Sequence, residues 1–208
     1  MGRMEEQTEH VAFDEIGERY DEAFTQRSAQ IAAGAWLTDR TGPRSRVLDL
    51  GCGSGWPTAQ QLAEGGLDIV GVDTSERMLE KARERVPSGE FVHADMRELP
   101  EDIGRFDAVT AFFSLLMLPR ADIDRVLATV RSLLHPGAPF ALGMVDGDLD
   151  DTPGEFFGVQ VRFSAYPEDE LIAVVRRAGF TVETVQRQEI ELTPGEFEDQ
   201  LYLYAVAE

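Results

Sequence analysis

Lysine is almost missing from this chain: of 19 basic residues in 208, Lys81 alone is a lysine. The sequence therefore has no phosphate-binding GxxxxGK[ST] loop, and no Schiff-base lysine away from position 81. Cations as a whole are scarce, because 39 acids stand against those 19 bases and leave a formal net charge of −20. Contact with a phosphate backbone or an anionic bilayer draws on surplus cation, so neither nucleic acid nor a membrane is expected as a partner. Cysteine occurs once, at Cys52, which permits no intramolecular disulfide, and the three scattered histidines His10, His93 and His135 offer no zinc-ligand spacing. The chain reads as reduced and metal-free. Long apolar runs are missing too: the longest, Val109 to Leu118, is half a membrane span, and Met1 to His10 is acidic where a signal peptide would be basic and then apolar. A cytoplasmic location is the expectation.

The length suits one domain, enough to bury roughly 70% of the unfolded chain's surface around a single core. Phe13, Ile16, Gly17, Tyr20 and Phe24 share a face at helical spacing and Ile31 to Leu37 continues helical, which predicts two N-terminal helices. Short apolar runs then alternate with helical segments. Strands are expected at Arg46–Leu50, Asp68–Val72, Phe91–His93, Phe106–Phe112 and Phe140–Val145. Helices are expected after Pro57, after the N-cap Ser75, and over Ala121–Leu134. Such alternation demands right-handed crossovers and a mostly parallel, doubly wound α/β sheet. Asp146 to Glu155, with five carboxylates, two glycines and a proline, reads as a mobile acidic loop, and Phe157 to Phe163 as a strand beyond it. A helix over Pro167–Ala178 and strands over Thr181–Leu192 and Gln200–Val206 close the chain, adding an antiparallel edge through a turn at Pro194-Gly195.

Chemistry concentrates at Asp49-Leu-Gly51-Cys-Gly53-Ser-Gly55, where a buried strand ends in glycines at alternate positions and a helix begins. Glycines remove the Cβ that would hold a ligand off, and a helix start offers unpaired N–H groups. Asp73 ends the next strand, 22 residues after Gly51, where a carboxylate can take both hydroxyls of a ribose. Nicotinamide-binding enzymes use a similar loop, G-x-G-x-x-G, but Trp56 stands where its last glycine belongs. Asp49 lies inside the strand, an odd place for an acid unless a cation or hydrogen-bond donor sits above it. A ligand with an ammonium group and no pyrophosphate suits, and S-adenosylmethionine is one.

These residues resemble the class I S-adenosylmethionine-dependent methyltransferases. Asp49 to Gly55 is similar to that family's first motif, Gly71-Val-Asp-Thr-Ser75 with Met78-Leu79 to the stretch around its ribose acid, and His93-Ala-Asp-Met96 with Leu99-Pro100 to its adenine-binding strand end. Phe106-Asp-Ala-Val, Leu133-Leu-His-Pro-Gly137 and Ala178-Gly-Phe180 resemble the fourth strand, the turn before the fifth and the turn into the sixth. The resemblance implies a seven-stranded, mostly parallel sheet with an antiparallel last strand and two N-terminal cap helices, in a single domain over 1–208. Within it, 1–42 would be the helices, 43–146 the cofactor-binding half, and 147–208 the substrate-side lid and closing strands.

It implies too that Gly51, Gly53 and Gly55 pack against the methionine part of S-adenosylmethionine, that Asp49 organises its amino group, and that Asp73, beside Thr74, holds the ribose. Asp95 would accept from the adenine amino group with Met96 against the ring, Phe112 would lend backbone, and Tyr20 would reach the cofactor carboxylate. Met78 is read as core, and His93 as facing the sheet packing. Phe113 to Pro119 is similar to a stretch that small bacterial methyltransferases often write Ser-Leu-Leu-His-Leu-Pro, but Met117 replaces the histidine, so no base carries over. No catalytic residue is assigned. Ser114, Met117 and Asp146 are expected to line the acceptor space beyond the carboxyl ends of the strands.

The expected reaction is methyl transfer to oxygen or nitrogen of a small metabolite or natural-product intermediate, by a monomer or homodimer, with S-adenosylhomocysteine as the product. A non-methylating S-adenosylmethionine binder or cyclase on the same fold is the alternative, and a nicotinamide-dependent reductase a more distant one.

Overall fold

The structure, a computed structural model, describes residues 26–156, 158–193 and 195–208. The first expected helix, and Tyr20 with it, lies outside the described residues, as do Phe157 and Pro194 of the expected late strand and turn. Helix α1 (Ser28–Arg40) precedes an alternation of β1 (Arg46–Leu50), α2 (Thr58–Glu64), β2 (Asp68–Asp73), α3 (Glu76–Arg85), β3 (Glu90–His93) and β4 (Ala108–Phe112). A 3-10 turn at Leu115–Met117 leads to α4 (Arg120–Leu133) and β5 (Pro139–Val145), followed by β6 (Leu149–Phe156), β7 (Val159–Ala165), α5 (Glu168–Arg177), β8 (Phe180–Thr193) and β9 (Glu196–Ala207).

Seven strands form one sheet in the order β3-β2-β1-β4-β5-β9-β8, and every pair from β3 to β5 is parallel. A parallel sheet is buried on both faces, which is why its strands read as continuous apolar runs. Leu48, Leu50, Val70 and Val72 face α4 and α5, while Val47 and Ile69 face α1, α2 and α3. Ser75 caps α3 as its composition suggests, its hydroxyl accepting from Met78 N at 3.2 Å. Strand β9 pairs antiparallel with both β5 and β8, so the antiparallel strand is last in sequence but inserts between them, and β8 forms the edge.

The acidic stretch differs from expectation. Residues Leu149–Phe156 form β6, which pairs antiparallel with β7 in a separate two-stranded ribbon. A bulge between Leu149 and Thr152 takes up the irregularity, with Asp151 at φ 47° and its amide donating to Ser164 Oγ at 2.9 Å. Side chains neutralise the acids: Arg120 pairs with Asp148 at 2.8 Å and Arg162 with Asp151 at 2.6 Å. Pairing across the ribbon and these cations outweigh the turn-forming composition.

Candidate functional site

Strand order reverses between β1, which continues to β2, and β4, which continues to β5, so a crevice opens beyond the carboxyl ends of β1 and β4. A cavity of about 130 Å³ occupies it, walled by the glycine loop on one side and the ends of β2, β3 and β4 on the others.

The glycines that share one motif do three jobs. A Cβ on Gly51 would stand 2.2 Å from Ser114 Cβ, so this glycine lets the β4 loop close against β1. One on Gly53 would meet nothing within 4 Å, and Gly53 lines the cavity with its backbone open to it. One on Gly55 would press on Ala82 Cβ at 3.3 Å; Gly55 packs the loop onto α3 and is not part of the lining. All three have positive φ, 67°, 54° and 76°, which glycine adopts without strain.

Asp49 is 3% exposed. Its Oδ1 accepts from Thr110 Oγ1 at 2.8 Å across the β1–β4 pair, and its Oδ2 has no hydrogen-bond partner among the described residues. Burial pushes its pKa up to about 7, with the Thr110 bond pulling down and the neighbouring Asp73 charge adding to the rise. A buried, half-satisfied carboxyl is costly unless something else completes it. Asp73 is fixed from both sides: Oδ2 accepts from Gly53 N at 2.8 Å and Oδ1 from Ser75 N at 2.9 Å, which ties the glycine loop to the α3 N-terminus. Burial raises its pKa and these backbone bonds oppose the rise.

Thr74, Asp95, Met96, Phe112, Ser114 and Met117 line the same cavity, as do Asp49, Gly51 and Asp73. Ser114 holds the loop shut by donating to Leu50 O at 2.6 Å. The Asp95 carboxylate is gripped by Arg97, whose Nε lies 3.0 and 2.9 Å from its two oxygens, so a ligand donor would share this acid with a guanidinium. Asp146 does not line the cavity. Its carboxylate accepts from Arg187 at 2.7 Å and from Glu168 N at 3.1 Å, because the chain turns away into the ribbon just after β5. His93 is also placed differently: half exposed, with Nε2 2.8 Å from Thr74 O.

Several lining residues were not marked by motif. Arg27 and Gln30 on and before α1 are 7% and 8% exposed, and Gln30 donates to Thr58 Oγ1 at 2.9 Å. The Arg27 guanidinium stacks 4.4 Å from the Trp56 ring centroid. Met78, read as core, is buried and lines the cavity as well. Only the departure of Trp56 from the glycine pattern hinted at this wall.

A second cavity of about 260 Å³ adjoins the first and shares Arg27, Gln30, Phe113 and Met117 with it. Its far wall is the β6–β7 ribbon, through Phe156 and Phe163, and one face of β9, through Glu198, Gln200 and Tyr202. Among the described residues no cluster of potential metal ligands occurs, and no helix is long and apolar enough to cross a membrane.

Comparison with known proteins agrees with this architecture. Residues 47–137 match the family described as methyltransferase domain. The demethylmenaquinone methyltransferase of Clavibacter sepedonicus is 37% identical over 130 residues, 57% of this chain and 52% of that protein. The 27-O-demethylrifamycin SV methyltransferase of Amycolatopsis mediterranei is 31% identical over 144 residues, 66% of this chain and 51% of that protein. The chain thus spans about half the length of the curated relatives it matches. Among solved structures, the 1,6-didemethyltoxoflavin-N1-methyltransferase of Burkholderia thailandensis, with bound 1,6-didemethyltoxoflavin and S-adenosylhomocysteine, superposes with a TM-score of 0.75 at 22% identity, over 97% of this chain and 88% of that one. The strand order and the superposition show that the chain has the fold of these methyltransferases, and the glycine loop and crevice lie within residues 47–137, the segment that matches the methyltransferase-domain family.

Proposed function

We propose that this protein transfers a methyl group from S-adenosylmethionine to oxygen or nitrogen of a small-molecule acceptor. The observation that carries the cofactor reading is Asp49 Oδ2, buried and without a hydrogen-bond partner among the described residues, on a residue that lines the crevice together with Gly53. An ammonium group completes it, and the donor chemistry around it suits the rest of the molecule. Asp73 stands at the β2 end for the ribose hydroxyls, Asp95 and Met96 for the adenine, and Gly51, Gly53, Thr74 and Phe112 for backbone contact. Gly55 supports this set from behind, and Arg27, over Trp56, offers a guanidinium for the carboxylate. Tyr20 remains a second candidate for that carboxylate.

When bound, S-adenosylmethionine supplies an electrophilic methyl on a sulfonium. The chain's own contribution is placement. Phe113 and Met117, common to both cavities, stand where acceptor and cofactor would meet, with Ser114 beside them. Holding two reactants in line and out of water can supply about 7 to 11 kcal/mol of the barrier in well-oriented cases. The acceptor is read as occupying the largely apolar second cavity, and two relatives are named as methyltransferases of demethylmenaquinone and of 27-O-demethylrifamycin SV. We read the chain as a single domain acting in the cytoplasm as a monomer or homodimer, without nucleic acid, on the strength of its lone cysteine and its charge of −20.

Calorimetric titration with S-adenosylhomocysteine and, separately, NADH tests the cofactor. Binding of the thioether alone is expected, and Asp73→Ala should weaken it more than tenfold. Binding of NADH alone would point to a reductase, which Trp56 in the place of the third glycine opposes. Methyl-labelled S-adenosylmethionine incubated with cell extract tests the transfer, and a protein that binds the cofactor without passing label on would be a non-methylating member of the fold.

A further inference from the structure

Gln200, Tyr202 and Glu198 occupy alternate positions of β9 and therefore one face of it. They form a chain of directed bonds: Tyr202 Oη donates to Gln200 Oε1 at 2.9 Å, and Gln200 Nε2 donates to Glu198 Oε1 at 3.2 Å. Gln200 is 5% exposed, so its amide orientation is fixed by these two partners and in turn fixes Glu198. The base of the chain lies beside the cofactor cavity, since the Tyr202 ring meets Phe113 edge-on at 5.6 Å and Phe113 lines both cavities. From there the strand climbs outward at roughly 3.4 Å per residue, so Glu198 sits about 14 Å further along it.

Among the described residues Glu198 forms no ion pair, and its second oxygen has no partner. Arg187, the cation on the adjoining strand, is taken by Asp146, Asp199 and Glu168. Arg27, which also lines the cavity, lies where the cavity meets the cofactor site, over Trp56. Partial burial against an apolar wall raises the Glu198 pKa, with the Gln200 bond opposing. Glu155 of β6 lines the same space and adds a second negative charge. Phe156 and Phe163 complete an aromatic wall, their rings edge-on at 6.2 Å. Such a cavity welcomes a flat apolar body, repels an anion, and leaves one positioned carboxylate for a cation.

We propose that the outer cavity takes a largely apolar acceptor bearing a basic amine, and that Glu198 receives that amine at the end remote from the methyl. The proposal rests on the methyltransferase reading only in calling the occupant an acceptor. The inferred role for Glu198 is recognition, and the methylated atom lies at the Phe113 end.

The test uses the full chain saturated with S-adenosylhomocysteine and two probes of similar length and opposite charge, 4-phenylbutylamine and 4-phenylbutyrate, titrated with ligand-observed NMR. A preference for the amine of about tenfold is expected, the worth of one partly desolvated charge pair. Glu198→Gln should bring the two affinities within about threefold of each other, and Glu198→Lys should invert the preference, a gain that damage to the fold cannot produce. Equal affinities in the wild type, no binding of the amine, or a preference that survives both substitutions overturns the proposal. A wild-type chain that fails to bind S-adenosylhomocysteine in the first titration would instead count against the cofactor reading.

Discussion

Asp49 couples the ligand to a proton. Its folded pKa of about 7 lies above the ordinary 3.8, so between those values the folded, ligand-free chain holds a proton that the unfolded chain has lost. Stability from this residue is therefore greatest below pH 4 and falls as pH rises toward 7, by about 4 kcal/mol at most. An ammonium above Asp49 favours the carboxylate, so binding must expel that proton. Affinity for S-adenosylhomocysteine should accordingly fall as pH is lowered below about 7, approaching tenfold per unit, and Asp49→Asn should bind weakly with little of that slope. Calorimetry across pH 5.5 to 8.5 checks it, and a flat wild-type profile would mean that no cation meets Asp49. The neighbouring glycines separate two effects in the same way. Gly51→Ala drives a Cβ into Ser114 and should destabilise the fold by a few kcal/mol, partly restored by Ser114→Gly. Gly53→Ala meets open space and should cost about 1 kcal/mol of backbone strain while sharply reducing affinity. Thermal melts and titrations of the single and double variants check the distinction. Asp49 and the glycines were legible in sequence because strand, turn and helix start are local in the chain. Arg27 and Gln30 were not, since the pattern of α1 marks its buried stripe and does not say that polar residues at its start close over a pocket.

Elements were legible where their pattern was self-contained. β1, β2, β4 and β5 are apolar runs bounded by turn residues, and parallel pairing buries them on both faces. β6 was not, because Asp150, Asp151, Pro153 and Gly154 outnumber the strand formers Thr152 and Phe156 within Leu149–Phe156. Its structure is imposed from outside the segment, by pairing with β7, by Arg162 on β7, and by Arg120, 28 residues before its partner Asp148. Edge strand β8 shows how a second long-range device works. It carries Glu183, Arg187, Glu189 and Glu191, charges that blunt pairing with another sheet. Arg187 reaches inward to Asp146 after β5, Glu168 at the start of α5 and Asp199 on β9. It thus clamps the outer ends of the hairpin that supplies Glu198. Removing it leaves three carboxylates together. Arg187→Met should speed amide exchange at 186–190 and 197–201 severalfold while leaving β1 and β2 unchanged, as hydrogen exchange with mass spectrometry would show. The same protection in both proteins would mean that the hairpin is held by its backbone ladder and the side-chain clamp is dispensable.

At the scale of the molecule the acid excess sets the long-range field. Ion pairs consume only part of it, since 19 bases cannot neutralise 39 acids, and the remainder repels itself across a compact body. Two opposite responses to salt compete. Screening weakens the ion pairs, most of them exposed and each worth about 0 to 1 kcal/mol. It also weakens the mutual repulsion of 20 uncompensated charges, which act over the whole surface. Raising ionic strength from about 0.01 M to about 0.1 M shortens the screening length from about 30 Å to about 10 Å. That change spares contacts of 3 to 4 Å but removes most repulsion between distant acids, so repulsion loses more than attraction. The melting temperature should therefore rise with added potassium chloride over this range, with most of the gain complete by the upper end. A specific anion effect is separated by repeating the series with potassium sulfate at matched ionic strength, where an equal rise indicates screening. A fall in melting temperature would show that the exposed pairs outweigh the net charge. The same field draws cations toward the crevice, so added salt should also lessen the preference of the outer cavity for an amine over a carboxylate.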